Sequence, residues 1–192
     1  GAPGEPGTGL PDSGPGLKLD LMDVKLADKK ATVTFRLSDD AGNALDRTGK
    51  TTAGAVTVRT NLAWLGAPSA DGYPGQYTSY TTKVQVAPDG TSATQAAADE
   101  GGTFTEIDSD NGIYTYELAT PIEVVDATRT HTLGIWATRT FEGATYTAEG
   151  VRHFLPGGAA VTEKRDIVRT EACNQCHGPL KAHEGARRDV EL

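Results

Sequence analysis

Apolar residues in this chain recur at every second position in short bursts, and that period constrains the fold more than any other feature. Leu17, Leu19 and Leu21 alternate with polar residues. Val24 and Leu26 resume the alternation after a slip of phase at Met22-Asp23, which predicts a bulge or bend. Val33, Phe35 and Leu37 alternate with Thr32, Thr34 and Arg36, the pattern of a half-buried strand. A period of two places successive side chains on opposite faces of a sheet, and a helix cannot use it.

The same reading extends to about residue 156. Residues 38–43 form a turn cluster, and Val56 and Val58 lead a strand towards Leu62 and Trp64. A Gly/Pro/Tyr-rich loop covers 66–75, residues 77–86 are strand-like, and Pro88-Asp89-Gly90 closes them. Residues 91–102 are polar and Ala-rich and read as a loop. Residues 104–107 and 113–118 flank the turn Asp108-Ser109-Asp110-Asn111-Gly112 and predict a hairpin. Asp108 and Asp110 could suggest calcium, but the loop lacks the later ligands and closing Glu of an EF-hand, so a turn is the better reading. Strands over 130–140 and 145–155 complete an all-β set, a sandwich or barrel.

Charge and composition exclude some functions. The 192 residues carry 18 Lys and Arg against 26 Asp and Glu, a net −8. Nucleic-acid binding needs clustered cations, which this balance does not supply. No run of apolar residues is long enough for a membrane-spanning helix. No Ser-His-Asp set, paired-carboxylate site or phosphate loop is apparent.

Three segments follow. Residues 1–16 are a Gly/Pro-rich linker, with a collagen-like period too brief to hold a triple helix. Residues 17–158 are the β domain. Residues 163–169 and 172–188 are mixed in charge and poor in β-branched residues, and from 161 to 192 six basic residues balance six acidic ones, so the whole of the −8 lies upstream.

This last segment, 159–192, contains both cysteines of the chain, in Cys173-Asn174-Gln175-Cys176-His177. The spacing leaves a disulfide, a redox dithiol, half a zinc site or haem attachment. A structural zinc site wants a second Cys/His pair at a distance, and a thioredoxin-like dithiol wants a βαβ setting. The His directly after the second Cys favours haem, since Cys-x-x-Cys-His is the c-type attachment signature. Cys173 and Cys176 then form the thioethers and His177 is the proximal iron ligand.

The surrounding residues carry a resemblance. From Ile167 to Arg187, around Cys173-Asn174-Gln175-Cys176-His177-Gly178-Pro179-Leu180-Lys181-Ala182-His183, the segment resembles the first haem-binding stretch of the OmcA/MtrC family of outer-membrane multihaem (decahaem) c-type cytochromes. That pattern runs Cys-x-x-Cys-His-x-x-Leu-x-x-His-Gly-Gly-x-Arg, and Glu184 stands where the family has Gly. The upstream stretches 110–118 and 130–134 also look like the family's N-terminal β domain. The resemblance implies a Greek-key sandwich or split-barrel-like β domain followed by a short, irregular or helical haem c segment. It implies bis-His iron and a chain of close haems on the outer face of the outer membrane, with the periplasm as second choice. It also implies electron delivery to metal oxides, humics or flavins, with partners among other haem domains, other cytochromes and an outer-membrane porin-cytochrome conduit. One motif in a chain that stops at Leu192, where the family pattern places another soon afterwards, reads as an N-terminal fragment of a longer cytochrome. A second reading makes the β domain a docking module for a partner, mineral or flavin, using exposed Tyr73, Tyr77 and Tyr80.

The remaining histidines divide by context. His183 matches the family's His and is a candidate distal ligand, more naturally of a neighbouring haem than of its own. Arg187 is a candidate propionate partner. His131 shares a face with Leu133 and Ile135 and reads as a satisfied buried His. His153, between Arg152 and Phe154, reads as a strand residue rather than a ligand.

Overall fold

The computed structural model describes residues 13–165 and 169–177. The first strand, β1 (Lys18–Ala27), pairs antiparallel with β2 (Lys30–Ser38), and the register shifts between Leu21 and Asp23, at the expected phase slip. β3 (Val56–Leu65) is followed by the short β4 (Tyr77–Ser79), then by β5 (Thr82–Val86) and β6 (Ser92–Ala96). β7 (Thr103–Asp108) and β8 (Ile113–Glu117) form the predicted hairpin. β9 (His131–Phe141) and β10 (Ala144–Phe154) form a long one before α1 (Thr170–His177).

The strands make two four-stranded antiparallel sheets, in the orders β1-β2-β8-β7 and β10-β9-β3-β4, with β5 and β6 as a separate hairpin. The fold is therefore an all-β sandwich, as the periodicity implied. The inward-facing residues meet between the sheets. Val33, Phe35, Leu37, Tyr114 and Tyr116 of the first sheet pack in one cluster with Val56, Leu62, Leu133 and Ile135 of the second. On one side β1 lies along β10, so the edges of the two sheets meet there and the sandwich closes partway towards a barrel.

The turns follow from their residues. Asp108 accepts the Asn111 N–H at 3.1 Å and its side-chain amide at 2.8 Å, which fixes the hairpin turn. Gly112 sits at φ 67°, and a Cβ there would meet the Leu37 carbonyl oxygen at 2.4 Å, so the turn requires glycine. The Asp39 carboxylate likewise closes the turn after β2, through the Asn43 N–H at 2.9 Å and side-chain amide at 3.0 Å.

Two expectations need correction. The strand-like run 77–86 is two strands in different sheets, broken at Tyr80-Thr81: the Tyr80 N–H still follows the β3 register onto Leu62 O, but at Thr81 the side-chain hydroxyl accepts from the Leu62 N–H and the carbonyl turns to the Ala97 N–H. Residues 92–96, read as loop, form β6 against β5. Both of these strands are exposed along their whole length, so neither needed the alternation that reveals a half-buried strand.

Two polar anchors hold the loop that leads into β3. Arg139 is 1% exposed. Its guanidinium donates to the carbonyls of Gly14 and Gly16 at 2.8 Å each and of Ala53 at 2.6 and 3.2 Å, and lies 4.6 Å from the Phe141 ring centre. Replacing it by Met strands those carbonyls, and we expect a loss of about 3 kcal/mol in urea unfolding. Asp46 accepts from the backbone N–H groups of Thr48, Lys50 and Thr51 at 2.6–2.8 Å. Burial pushes its carboxyl up, but these bonds and the Thr48 hydroxyl outweigh it and bring the pKa down to about 2. The stabilisation is therefore complete above the ordinary value of 3.8 and lost as pH falls through about 2. The Asp46→Asn variant should be less stable than the parent at pH 7, with the gap closing by pH 2 in thermal melts.

Candidate functional site

The Cys-x-x-Cys-His motif falls on a helix. The Ala172 and Cys173 N–H groups bond to Arg169 O at 3.0 and 3.3 Å and open α1, and Glu171 places negative charge in the first turn, where the helix dipole favours it. Positions 173 and 176 are three apart on this helix and 177 is four from 173, so all three occupy one side of it. That is the donor set covalent haem needs: two thiols within a turn of each other and an imidazole beside them. The Cys173 thiol is half-buried and in no disulfide. The side chains of Cys176 and His177 lie outside the described residues, as do His183 and Arg187 entirely. No group of three or more His, Cys, Asp or Glu able to hold a metal occurs among the described residues.

The segment leading into α1 is fastened to one end of the second sheet. Arg129 pairs with Glu163 at 3.0 Å and also donates to the carbonyls of Leu65 and Gly66 at 3.1 and 2.6 Å. The Thr130 hydroxyl donates to Glu163 O at 2.5 Å, and Arg165 Nη2 donates to Gln76 Oε1 at 3.1 Å. Arg165 Nε is buried and has no partner among the described residues. Sequence reasoning missed Arg129, Glu163 and Arg165, because nothing local separates such residues from ordinary surface charge.

In fold, the chain is similar to the outer membrane decaheme cytochrome OmcA. The TM-score is 0.68 at 21% sequence identity, and the match covers 92% of this chain and 28% of that one. The likeness is one of fold, and the chain spans about 28% of the length of OmcA. No family model matches the sequence, and no curated protein sequence does. The match takes in nearly all of this chain, whereas the resemblance read from residues was sharp only in the haem segment and the strands just before it.

The two β-domain histidines have distinct environments. His131 is fully buried, stacked on Tyr80 at 5.7 Å, with the Phe154 ring tilted against it at 5.8 Å. Its Nδ1 faces Arg129 O at 2.9 Å and must carry the proton, which leaves Nε2 to accept from the Tyr80 hydroxyl at 2.9 Å. Both nitrogens are committed, as expected of a satisfied buried His. His153 lies on the opposite side of the second sheet, its Nδ1 2.9 Å from the Thr132 hydroxyl. The three tyrosines suggested as a docking surface sit in different settings. Tyr73 is exposed in its loop, Tyr80 packs beside His131, and the Tyr77 hydroxyl accepts from Thr132 at 3.3 Å on the outer side of the sheet.

Burial holds the His131 pKa below its ordinary 6.5, against the raising pull of the Arg129 carbonyl and Asp126. The unfolded chain therefore takes up a proton first as pH falls, and stability declines below about 6.5. A His131→Phe variant should lose this part of the slope, read as the dependence of the urea midpoint on pH between about 6.5 and 5.

Proposed function

We propose that this chain is the N-terminal β domain and first haem-attachment segment of an exported, outer-membrane multihaem cytochrome. In this reading it carries electrons through covalently bound haem c. The observation that carries the proposal is the placement of Cys173, Cys176 and His177 on one side of a helix directly after a sandwich that shares the fold of OmcA. The division of labour is the one read from the sequence: a linker over 1–16, a β domain over 17–158 and the haem segment from 159.

The chemistry of the site follows from its donors. The Cys173 and Cys176 thiols would each add S–H across one porphyrin vinyl group, giving thioethers with the hydrogen on the neighbouring carbon. His177 would supply the proximal nitrogen. His183 would serve as a distal ligand, of a neighbouring haem, and Arg187 would pair with a propionate. Held by Cys173, Cys176 and His177, haem would supply one-electron redox chemistry, and the protein's part would be placement and tuning of potential. The partners would be further haem domains of the same protein, other cytochromes or a porin-cytochrome conduit. The acceptors would be metal oxides, humics or flavins at the cell surface. No helix among the described residues is long and apolar enough to cross a membrane.

Expression with c-type maturation machinery, followed by denaturation and a pyridine haemochrome spectrum, tests the reading. We expect one thioether-linked haem per chain, and none in a Cys173→Ala/Cys176→Ala variant. A parent chain that emerges without covalent haem despite competent maturation refutes the assignment.

A further inference from the structure

One hydrogen bond in the β domain joins two side chains that can exchange a proton. His131 opens β9, whose residues from 131 to 137 are all buried, and it faces the core. The Tyr80 hydroxyl donates to its Nε2 at 2.9 Å, with the two rings 13° from parallel. On the far side of the imidazole the Nδ1–H donates to Arg129 O at 2.9 Å. The Tyr80 oxygen in turn accepts from the Val125 N–H at 3.4 Å. These groups form a chain, from the Val125 N–H through phenol and imidazole to the Arg129 carbonyl, in which every donor points the same way.

In the resting state the proton stays on the phenol. Burial raises the Tyr80 pKa above its ordinary 10.0 and lowers that of His131 below 6.5, so the imidazole is neutral near pH 7. Loss of one electron reverses the balance. An oxidised phenol is a strong acid, and a base is already hydrogen-bonded to it. The products suit their surroundings. A neutral phenoxyl oxygen keeps two donors, the Val125 N–H and the new Nε2–H, and an imidazolium keeps its bond to Arg129 O, with Asp126 adding negative potential.

Tyr114 and Tyr116 lack such a base. Tyr114 donates to the Leu45 carbonyl. Tyr116 donates to Asp99, whose carboxylate also accepts from the Ala119 and Thr120 N–H groups and the Thr120 hydroxyl. Burial raises the Asp99 pKa, but these bonds outweigh it and hold the carboxyl below 3.8, which makes it a much weaker proton acceptor than an imidazole.

We infer that Tyr80 and His131 are a redox-active pair, at which the β domain gives one electron to a strong metal-centred oxidant while the phenolic proton moves to His131. The Tyr80 O–H bond breaks, an N–H bond forms at Nε2, and the oxidant is reduced by one electron. An electron returned by a reductant reverses both transfers. The pair adjoins the anchor of the segment that leads to α1, because Arg129, whose carbonyl holds His131, also pairs with Glu163. No residue beyond the β domain takes part, so the pair stands whether or not Cys173 and Cys176 carry haem.

Flash photolysis tests it on the full chain bearing Cys173→Ala/Cys176→Ala, in which neither thiol nor haem competes as an electron donor. Ruthenium(III) tris-bipyridyl, generated by light and persulfate, is the oxidant. Electron paramagnetic resonance on freeze-trapped samples should show that the first radical formed is a tyrosyl. It should vanish in Tyr80→Phe and survive in Tyr73→Phe and Tyr116→Phe. Its formation should slow about a hundredfold in His131→Phe, the loss expected of a positioned base. With isotope-labelled histidine, the radical should carry a coupling to a histidine nitrogen, which reads the hydrogen bond with Tyr80 and His131 both in place. A first radical on Trp64 or Tyr73, a tyrosyl signal undiminished in Tyr80→Phe, an unchanged rate in His131→Phe, or a radical without histidine coupling overturns the inference.

Discussion

Burial of β9 on both sides is the constraint on which much of the remaining structure depends. Its inward residues, His131, Leu133, Ile135 and Ala137, are core, and the inward-facing strands of both sheets pack towards them. At one end Arg139 continues the same inward row and holds the Gly14, Gly16 and Ala53 carbonyls. Near the other end Arg129 and Thr130, just before the strand, receive Glu163. One strand thus sets the core, ties down the residues before β1 and fixes the start of the segment that leads to α1. Desolvating Arg139 is costly, and its several carbonyl partners make the burial tolerable.

How much of this could be read from the sequence follows from how burial writes itself into residues. Half-buried strands write it as alternation, so β1, β2 and the β7–β8 hairpin were legible, and the bulge at Asp23 showed as a slip of phase. The β5–β6 hairpin is exposed on both sides and has no such signature. Val84 and Val86 are its apolar residues on one side, and they read as the continuation of a longer strand. The opposite extreme, β9, also departs from alternation. The near-continuous run Leu133-Gly134-Ile135-Trp136-Ala137 was the available signal that its outer side is covered, a signal easily read as a generic strong strand.

The candidate site divides in the same way. Covalent attachment demands fixed residue types at fixed spacing, so Cys173, Cys176 and His177 stand out in one dimension. Their surroundings are assembled from residues far apart in sequence: Gln76 with Arg165, Arg129 with Glu163, Tyr77 with Thr132 and His153. No local pattern marks such pairs. His131 and His153 make the same point from the other direction. They are separated by one hairpin and lie on β9 and β10, yet they face opposite sides of the sheet, because His153 pairs with Thr132 and not with His131. A one-residue difference in register parity decides which imidazole is locked into the core and which faces outward.

That parity bears on what a β domain contributes to an electron carrier. The potential of a haem depends on its axial ligands, on hydrogen bonds and on how far its surroundings exclude water. A short helix such as α1 offers little shelter: among the described side chains, Glu171, Ala172 and Gln175 are exposed, and Thr170, Cys173 and Asn174 are half-buried. Shelter for a cofactor on such a segment must come from another element, and a sheet offers it only where its outer side is apolar, small-featured and held still. The second sheet is buried on its outer side along β9 and held still by the Tyr77–Thr132–His153 hydrogen bonds, though Asn61 and Ser79 stand beside Gly134 there. The first sheet carries Arg36, Glu117 and threonines outward. The asymmetry of the sandwich thus separates a covered side from a solvent-facing one, and Arg129 and Arg165 fasten the segment that leads to α1 to the second sheet.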